Sequence, residues 1–222
     1  MIVHDGHAKA MRFFTSSNAN SYDWVVQLAT LGQDSAWKRE IARAVDDYND
    51  ILELACGTGI LSSMLARRGK NIAGIDLTFA YLRKSKHKVN AHIVQGTAES
   101  LPYRSESFDA IISSYLAKYV NLPEVIDECW RVLRPGGVAV FHDFIYPHSL
   151  MRSLWNAYFA LLRLAGLLVI SWKVVFEQLD DTIKTSEWVD QTIDAFEDKN
   201  FQKISCKLYS AGTSAIVSAE KP

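Results

Sequence analysis

The sequence predicts an α/β fold, a mostly parallel sheet with helices on both faces, and three observations carry that reading. The segment ILELACGTGILS at residues 51–62 runs from an apolar strand pattern, through a turn of small residues, into helical spacing at Ile60, Leu61, Met64 and Leu65. Strand-like and helix-like segments then alternate as far as residue 141, which argues parallel strands joined by right-handed crossovers. With 222 residues and 49% hydrophobic content, the chain suits one domain with a sizeable core.

Taken in order, residues 1–20 are mixed and end in the polar run Thr15-Ser16-Ser17-Asn18-Ala19-Asn20, expected as a loop or a segment ordered only by ligand. Helical patterning runs from about Tyr22 to Tyr48. A second strand is expected over residues 71–75, after Gly69 as a helix terminator, with Asp76 closing it. The next helix passes through Tyr81 and Leu82 into a basic run at residues 83–88, read as a solvated helix end whose cations meet the dipole. Strands follow at 91–95 and 108–113. Asn121 is placed to cap a helix, with Glu124 at the capping-box position. That helix ends at Arg134-Pro135-Gly136-Gly137, a turn feeding a fifth strand over 138–141.

Residues 149–175 change character. Leu154, Trp155, Tyr158, Phe159 and Leu162 follow helical spacing, and large apolar groups continue almost all round the segment. An insertion lining an apolar substrate cleft is expected, with peripheral membrane contact as a secondary reading. A polar-faced helix at 185–198 and strands at 201–208 and 214–219, turned at Ala211-Gly212, close the chain.

Composition excludes several classes. The formal net charge is −1 with interspersed charges, so no nucleic-acid surface is expected. Cys56, Cys129 and Cys206 lie far apart, without CxxC spacing, which fits a reducing compartment. His4, His7, His87 and His92 show no ligand spacing, so no metal is expected. The N-terminus lacks the apolar core of a signal peptide, and no segment reaches about 18 uncharged apolar residues. A cytoplasmic protein is expected, as monomer or homodimer.

The glycine turn is the chemical centre. Gly57 and Gly59 let the backbone approach a ligand, and the helix start offers unpaired N–H groups. The full dinucleotide fingerprint is missing, and Glu53 puts a carboxylate at the strand end, which suits an ammonium group better than a pyrophosphate. Asp76, 17 residues beyond Gly59, lies near the spacing at which an acid accepts from ribose hydroxyls.

Five motifs occur in order: ELACGTG at 53–59, Asp76, GTAESLP at 96–102, SFD at 107–109 and RVLRPGG at 131–137. They resemble the motif series of class I S-adenosylmethionine-dependent methyltransferases. Within that superfamily the chain is most similar to the ubiquinone/menaquinone biosynthesis C-methyltransferase family, through Tyr22-Asp23, Gly32, Trp37-Lys38, the apolar insertion and the C-terminal helix. The resemblance implies a Rossmann-like seven-stranded sheet, mostly parallel with an antiparallel last strand, plus a helical lid. It divides one domain, 1–222, into a lid (1–48), a cofactor-binding core (49–146), an insertion over the substrate cleft (147–184) and a closing helix and strands (185–222).

S-adenosylmethionine is the implied cofactor, with S-adenosylhomocysteine as product. By resemblance, Glu53 and the turn Ala55, Cys56, Gly57 and Gly59 face its methionine part, with Ser113 beside them. Asp76 takes both ribose hydroxyls, Leu77 packs on adenine, and Ala98 meets adenine through its backbone N–H. Lys38 pairs with the donor carboxylate and Tyr22 closes over it. Three positions depart from the family. Ala55 replaces a glycine; Thr97 replaces an adenine-contacting acid, whose N6 contact is either lost or taken over by Glu99; and Ser114-Tyr115-Leu116-Ala117-Lys118-Tyr119 stands where an Arg-Asn pair is usual.

The implied acceptor is a small hydrophobic molecule, a prenylated quinone precursor resembling demethylmenaquinone. Removing a phenolic proton makes the adjacent ring carbon nucleophilic, so a base or a phenolate-stabilising cation is needed. Tyr115, Lys118 and His142 are the candidates, with His148 further out. Tyr115 and Tyr119 read equally as packing residues, and Asp143 as a cap. The alternatives are O- or N-methylation of another small hydrophobic metabolite, and a non-catalytic methyltransferase-like scaffold. Intact Glu53, Gly57, Gly59 and Asp76 argue against the scaffold.

Overall fold

The computed structural model describes residues 5–148 and 150–222. His4, the first four residues read for a signal sequence, and Ser149 at the head of the apolar segment lie outside the described residues.

The N-terminal region holds α1 (Asp5–Phe13), α2 (Tyr22–Ala29) and α3 (Gln33–Ala44). The alternating core follows as β1 (Asp50–Leu54), α4 (Ile60–Ala66), β2 (Asn71–Asp76), α5 (Phe79–Ser85), β3 (His92–Gln95), β4 (Phe108–Ser114), α6 (Leu122–Val132) and β5 (Leu133–Phe144). Then come α7 (Leu150–Leu168), α8 (Lys173–Lys184), α9 (Trp188–Asp198), β6 (Gln202–Tyr209) and β7 (Ser214–Glu220). The strands form one sheet in the order β3-β2-β1-β4-β5-β7-β6. The first five run parallel, and β7 runs against both β5 and β6. This is the expected seven-stranded, mostly parallel arrangement with an antiparallel last strand. Strand order reverses between β1 and β4, and ligands of open α/β sheets bind beyond the strand ends at such a point.

Period-two alternation along β1 explains the two layers. Leu52 and Leu54 pack with Val125, Phe141 and Phe196 on one face. Ile51 packs with Ile41, Leu61 and Val140 on the other.

Four local expectations are corrected. Residues 5–13 are helical within a segment read as irregular: α1 is anchored by fully buried Phe13, which packs with Val25, Tyr119 and Trp172. The long lid helix is two helices, because Leu31 and Gly32 adopt φ of 51° and 79°, a left-handed pair that ends α2. Asn121 makes no side-chain capping bond; its amide donates instead to Glu124 Oε1 at 2.7 Å, so the reciprocal box does not form. The RPGG turn is drawn into β5, with an irregularity opposite Phe108 and Ala110.

The apolar segment becomes α7, a 3-10 turn (Ile170–Trp172) and the start of α8. Its two helices are pinned by Asp180 of α8, which is buried and accepts from Trp155 Nε1 at 2.8 Å, Arg163 at 2.8 Å and Lys184 at 2.7 Å. Among the described residues, no helix is long and apolar enough to cross a membrane.

Ala55 also sits in the left-handed region, with φ of 53°. A Cβ there crowds the following carbonyl, so Ala55→Gly is expected to raise stability by about 0.5–1 kcal/mol, the relieved strain being partly offset by unfolded-chain entropy. A urea midpoint that rises at constant slope checks it.

Candidate active site

The turn after β1 is tied to the end of β2 by one carboxylate. Asp76 accepts from the N–H of Gly57 at 2.8 Å and of Thr78 at 2.7 Å. Gly57 needs its positive φ of 53° to present that N–H. Gly59 is required for a second reason: a Cβ there would lie 2.4 Å from Ser85 Oγ.

Asp76 lines a narrow cleft of about 80 Å³ with Ala55, Leu77, Gly96, Thr97 and Ala98. His7 from α1 and Phe14 just beyond it, and Tyr115 and Tyr119 from the loop after β4, close its other side. Glu53 lies beneath the turn, buried, and accepts from the Ser62 hydroxyl. Burial pushes Glu53 up to about 7, against the pull of the Ser62 hydroxyl and the Lys38 charge. Burial likewise pushes Asp76 up to about 6, although two N–H donors oppose it.

This donor set fits an adenosine. A carboxylate forms one wall, Gly96 and Ala98 leave room for a flat ring, and Leu77 offers an apolar face. Glu99 Oε2 is buried beside the cleft without a partner.

Other expected donor contacts are disposed differently. Lys38 is buried in an ion pair with Asp34, and Asp34 Oδ1 also accepts the Tyr115 hydroxyl at 2.9 Å. Tyr22 stacks on Trp172 at 6.0 Å and meets Tyr81 edge-on at 5.1 Å, and it lines a second cavity rather than the cleft. Ser113 turns its hydroxyl to the Leu54 carbonyl at 3.3 Å. The Cys56 thiol packs under Gly74, and burial raises its pKa far above the ordinary value. Glu99 does not line the cleft; its Oε1 lies 2.7 Å from His7 Nε2 and accepts the Asn121 N–H at 3.3 Å.

The second cavity is apolar, about 440 Å³, and lies between α2 and α3 on one side and α7 and α8 on the other. Its walls include Trp37, Phe144, Leu154, Trp155, Phe159 and Phe176. Phe14, Tyr115 and Tyr119 line both spaces, so cleft and cavity meet at these rings.

Of the three proton-handling candidates, two are at that junction and one is not. Tyr115 holds φ of 68°, a rare conformation for a bulky side chain and one that persists only where surrounding packing imposes it. Its ring stacks on Phe144 at 5.0 Å. Lys118 lines the cavity and is paired with Asp143, both almost fully buried. His142 lines neither space. Its nitrogens lie 2.9 Å from Ser114 Oγ and 2.8 Å from Ser214 Oγ, and burial beside Lys38 and Lys118 holds it neutral. With both nitrogens committed, it pins β4, β5 and β7 together and has no lone pair for an acceptor. His148 is exposed.

Sequence reasoning missed the lid's own anchor. Asp23 accepts from the Thr58 hydroxyl of the glycine turn at 2.5 Å and pairs with Lys88, which fastens α2 across the turn. The Tyr22-Asp23 pair was a signal for it, without a role attached.

The raised carboxyls predict a pH dependence. In the roles the resemblance implies for Glu53 and Asp76, a neutral carboxyl cannot pair with the donor's ammonium and accepts only weakly from ribose, so the protonated form would bind poorly. Affinity for S-adenosylhomocysteine should therefore rise as pH goes from 5.5 to 7.5, through values of about 6 and about 7. Each group contributes up to about tenfold per pH unit below its own value. Calorimetry in buffers of different ionisation enthalpy should register protons released on binding.

A methyltransferase-domain family model matches residues 52–141. A demethylmenaquinone methyltransferase of Clavibacter sepedonicus is 30% identical over 215 residues, covering 92% of this chain and 87% of that protein. A ubiquinone/menaquinone biosynthesis C-methyltransferase of Rickettsia felis is 28% identical over 225 residues, 93% of this chain and 90% of that one. Among solved structures, an S-adenosylmethionine-dependent methyltransferase from Archaeoglobus fulgidus shares the fold with a TM-score of 0.66 at 15% identity, covering 90% of this chain and 100% of that one. The relatives span nearly the whole chain, and the chain belongs to the class I S-adenosylmethionine-dependent methyltransferases, in the demethylmenaquinone methyltransferase family.

Proposed function

We propose that this enzyme methylates a ring carbon of a prenylated hydroquinone, the reduced form of a demethylmenaquinone-like molecule. The observation that carries the reading is the apolar cavity of about 440 Å³ that meets the donor cleft at Tyr115 and Tyr119. A prenyl tail needs such a space, and a small polar acceptor does not. Relatives across nearly the whole chain bear quinone-methylating names.

S-adenosylmethionine supplies an electrophilic methyl group. The protein's part is alignment and exclusion of water, which favour a step in which positive charge disappears. Asp76 holds the ribose, Leu77 and Ala98 the adenine, and Glu53 the methionine amine. Lys118 provides the cation at the cavity's inner end. Incubation with methyl-labelled donor and demethylmenaquinol should place label on ring carbon. Label on oxygen or nitrogen, or transfer only to compact phenols, would overturn the reading. Absence of S-adenosylhomocysteine binding would support the scaffold alternative.

The same geometry supports contact with a bilayer surface. Leu31 and Leu154 line the cavity yet are 79% and 59% exposed, so the mouth opens among apolar groups. Leu161, Leu164, Leu168 and Ile170 continue that surface. Sedimentation with phosphatidylglycerol vesicles should recover the protein, and Leu164→Glu/Leu168→Glu should abolish recovery.

A further inference from the structure

Two polar atoms near the junction of cleft and cavity are buried without a hydrogen-bond partner: the Tyr119 hydroxyl and Asp143 Oδ2. A buried hydroxyl left unpaired costs stability, and its persistence calls for a partner that arrives with a ligand. Tyr119 lines both spaces. Lys118 lines the cavity, sits 4.7 Å above the Tyr119 ring and is paired with Asp143. Lys118 also lines a separate polar pocket of about 370 Å³ at the start of α6, beside Asn121 and Ser186. Lys118 thus lies between an apolar cavity and a polar space.

We propose that the acceptor's ring hydroxyl docks between the Tyr119 hydroxyl and Lys118, and that its proton passes through Lys118 to Asp143. This rests on the reading of the acceptor as a hydroquinone. In the step, the acceptor's O–H bond breaks and an N–H bond forms on Lys118. At the same time Lys118 gives another proton to Asp143 Oδ1, and an O–H bond forms there. The electron pair stays on the acceptor oxygen, held by the Lys118 ammonium and the Tyr119 O–H donor. The proton later leaves through Lys118 toward the polar pocket. Tyr119 and Lys118 touch the acceptor; Asp143 acts through Lys118.

Burial shifts the pair in the direction such a relay needs. It raises the Asp143 carboxyl and lowers the Lys118 ammonium, each against the pull of its partner. The other ionisable groups facing the pair are Tyr115, Tyr119 and His142, with Tyr22 of α2 and the Asp34–Lys38 ion pair of α3 behind Tyr115. His142 is held neutral, so it does not compete for the proton.

Tyr119→Phe removes only the unpartnered hydroxyl. It should leave the melting temperature unchanged or higher, while acceptor KM rises about tenfold, the worth of one hydrogen bond. A purely packing tyrosine would leave KM alone. Asp143→Asn keeps the shape and ends the relay. Its kcat should fall about 100-fold at neutral pH and recover as pH approaches the hydroquinone's own ionisation, because an ionised acceptor needs no base.

Binding of 2-naphthol, whose ionised form absorbs at longer wavelength, reads the same chemistry without turnover. Bound to the wild-type protein, its apparent pKa should fall by about one unit beside the Lys118 cation, and by less in Tyr119→Phe. An unshifted naphthol, or an unchanged KM in Tyr119→Phe, overturns the inference. Methyl transfer to oxygen or nitrogen overturns the proposed function instead, and the naphthol shift still decides this one. Should Asp143→Asn fail to fold, Tyr119→Phe and the wild-type naphthol titration carry the test.

Discussion

Asp76→Ala should weaken S-adenosylhomocysteine binding by roughly 100-fold or more, the largest effect expected of any single change in the cleft. The carboxylate at the end of β2 lines the cleft and also holds the N–H groups of Gly57 and Thr78. In the proposed role its loss would remove two charge-assisted bonds to ribose, each worth about 1.5 kcal/mol, and it frees the turn whose backbone shapes the site. Asp76→Asn keeps an acceptor without the charge, so a loss nearer tenfold is expected. The lower step of the pH dependence, at about 6, should vanish in both variants. Calorimetry checks all three statements, and 2-naphthol binding in the apolar cavity serves as the control that should not change.

The second large effect is on the roof of that cavity. Asp180→Ala should destabilise the protein by about 3 kcal/mol, because it strands the buried Trp155 N–H and unpairs two cations. Trp155, Arg163 and Lys184 all donate to this one carboxylate, so α7 and α8 lose their shared anchor together. For a domain of this size the melting temperature should drop by about 6–12 °C. Trp155 lines the cavity, so acceptor KM should rise while S-adenosylhomocysteine affinity holds. Asp180→Asn retains an acceptor for the indole and should lose less than half as much. Equal loss of donor and acceptor binding would show that the insertion is not a separate roof.

What could be read in advance follows from how local each signal was. The turn from Ala55 to Gly59 declares itself because backbone of that shape admits little but small residues. The core strands declare themselves because a strand buried on both faces must be apolar throughout, as 51–54 nearly is. α1 was illegible for the converse reason. Nine residues are too few to hold a helix by propensity, and tertiary contacts fix it, Phe13 packing on Tyr119 and Trp172 and His7 meeting Glu99. The break at Leu31 and Gly32 was hidden because Gly32 drew notice as part of a spacing pattern and not as a helix terminator.

His142 and Asp143 show the limit most clearly. Both are polar residues near the end of β5, and successive side chains on a strand face opposite ways. Their order cannot reveal which one meets the working side of the sheet. Packing gives His142 to the serines of β4 and β7 and gives Asp143 to Lys118.

The sequence alone determined the sheet, the glycine turn and the two carboxylates at neighbouring strand ends, because each depends on residues close together in the chain. Tertiary structure decided which groups face the acceptor. Lys118 and Tyr119 of the turn after β4, Phe14 just beyond α1 and Trp155 of α7 come from three separate segments, and a cavity exists only where such distant surfaces fail to fill the space between them.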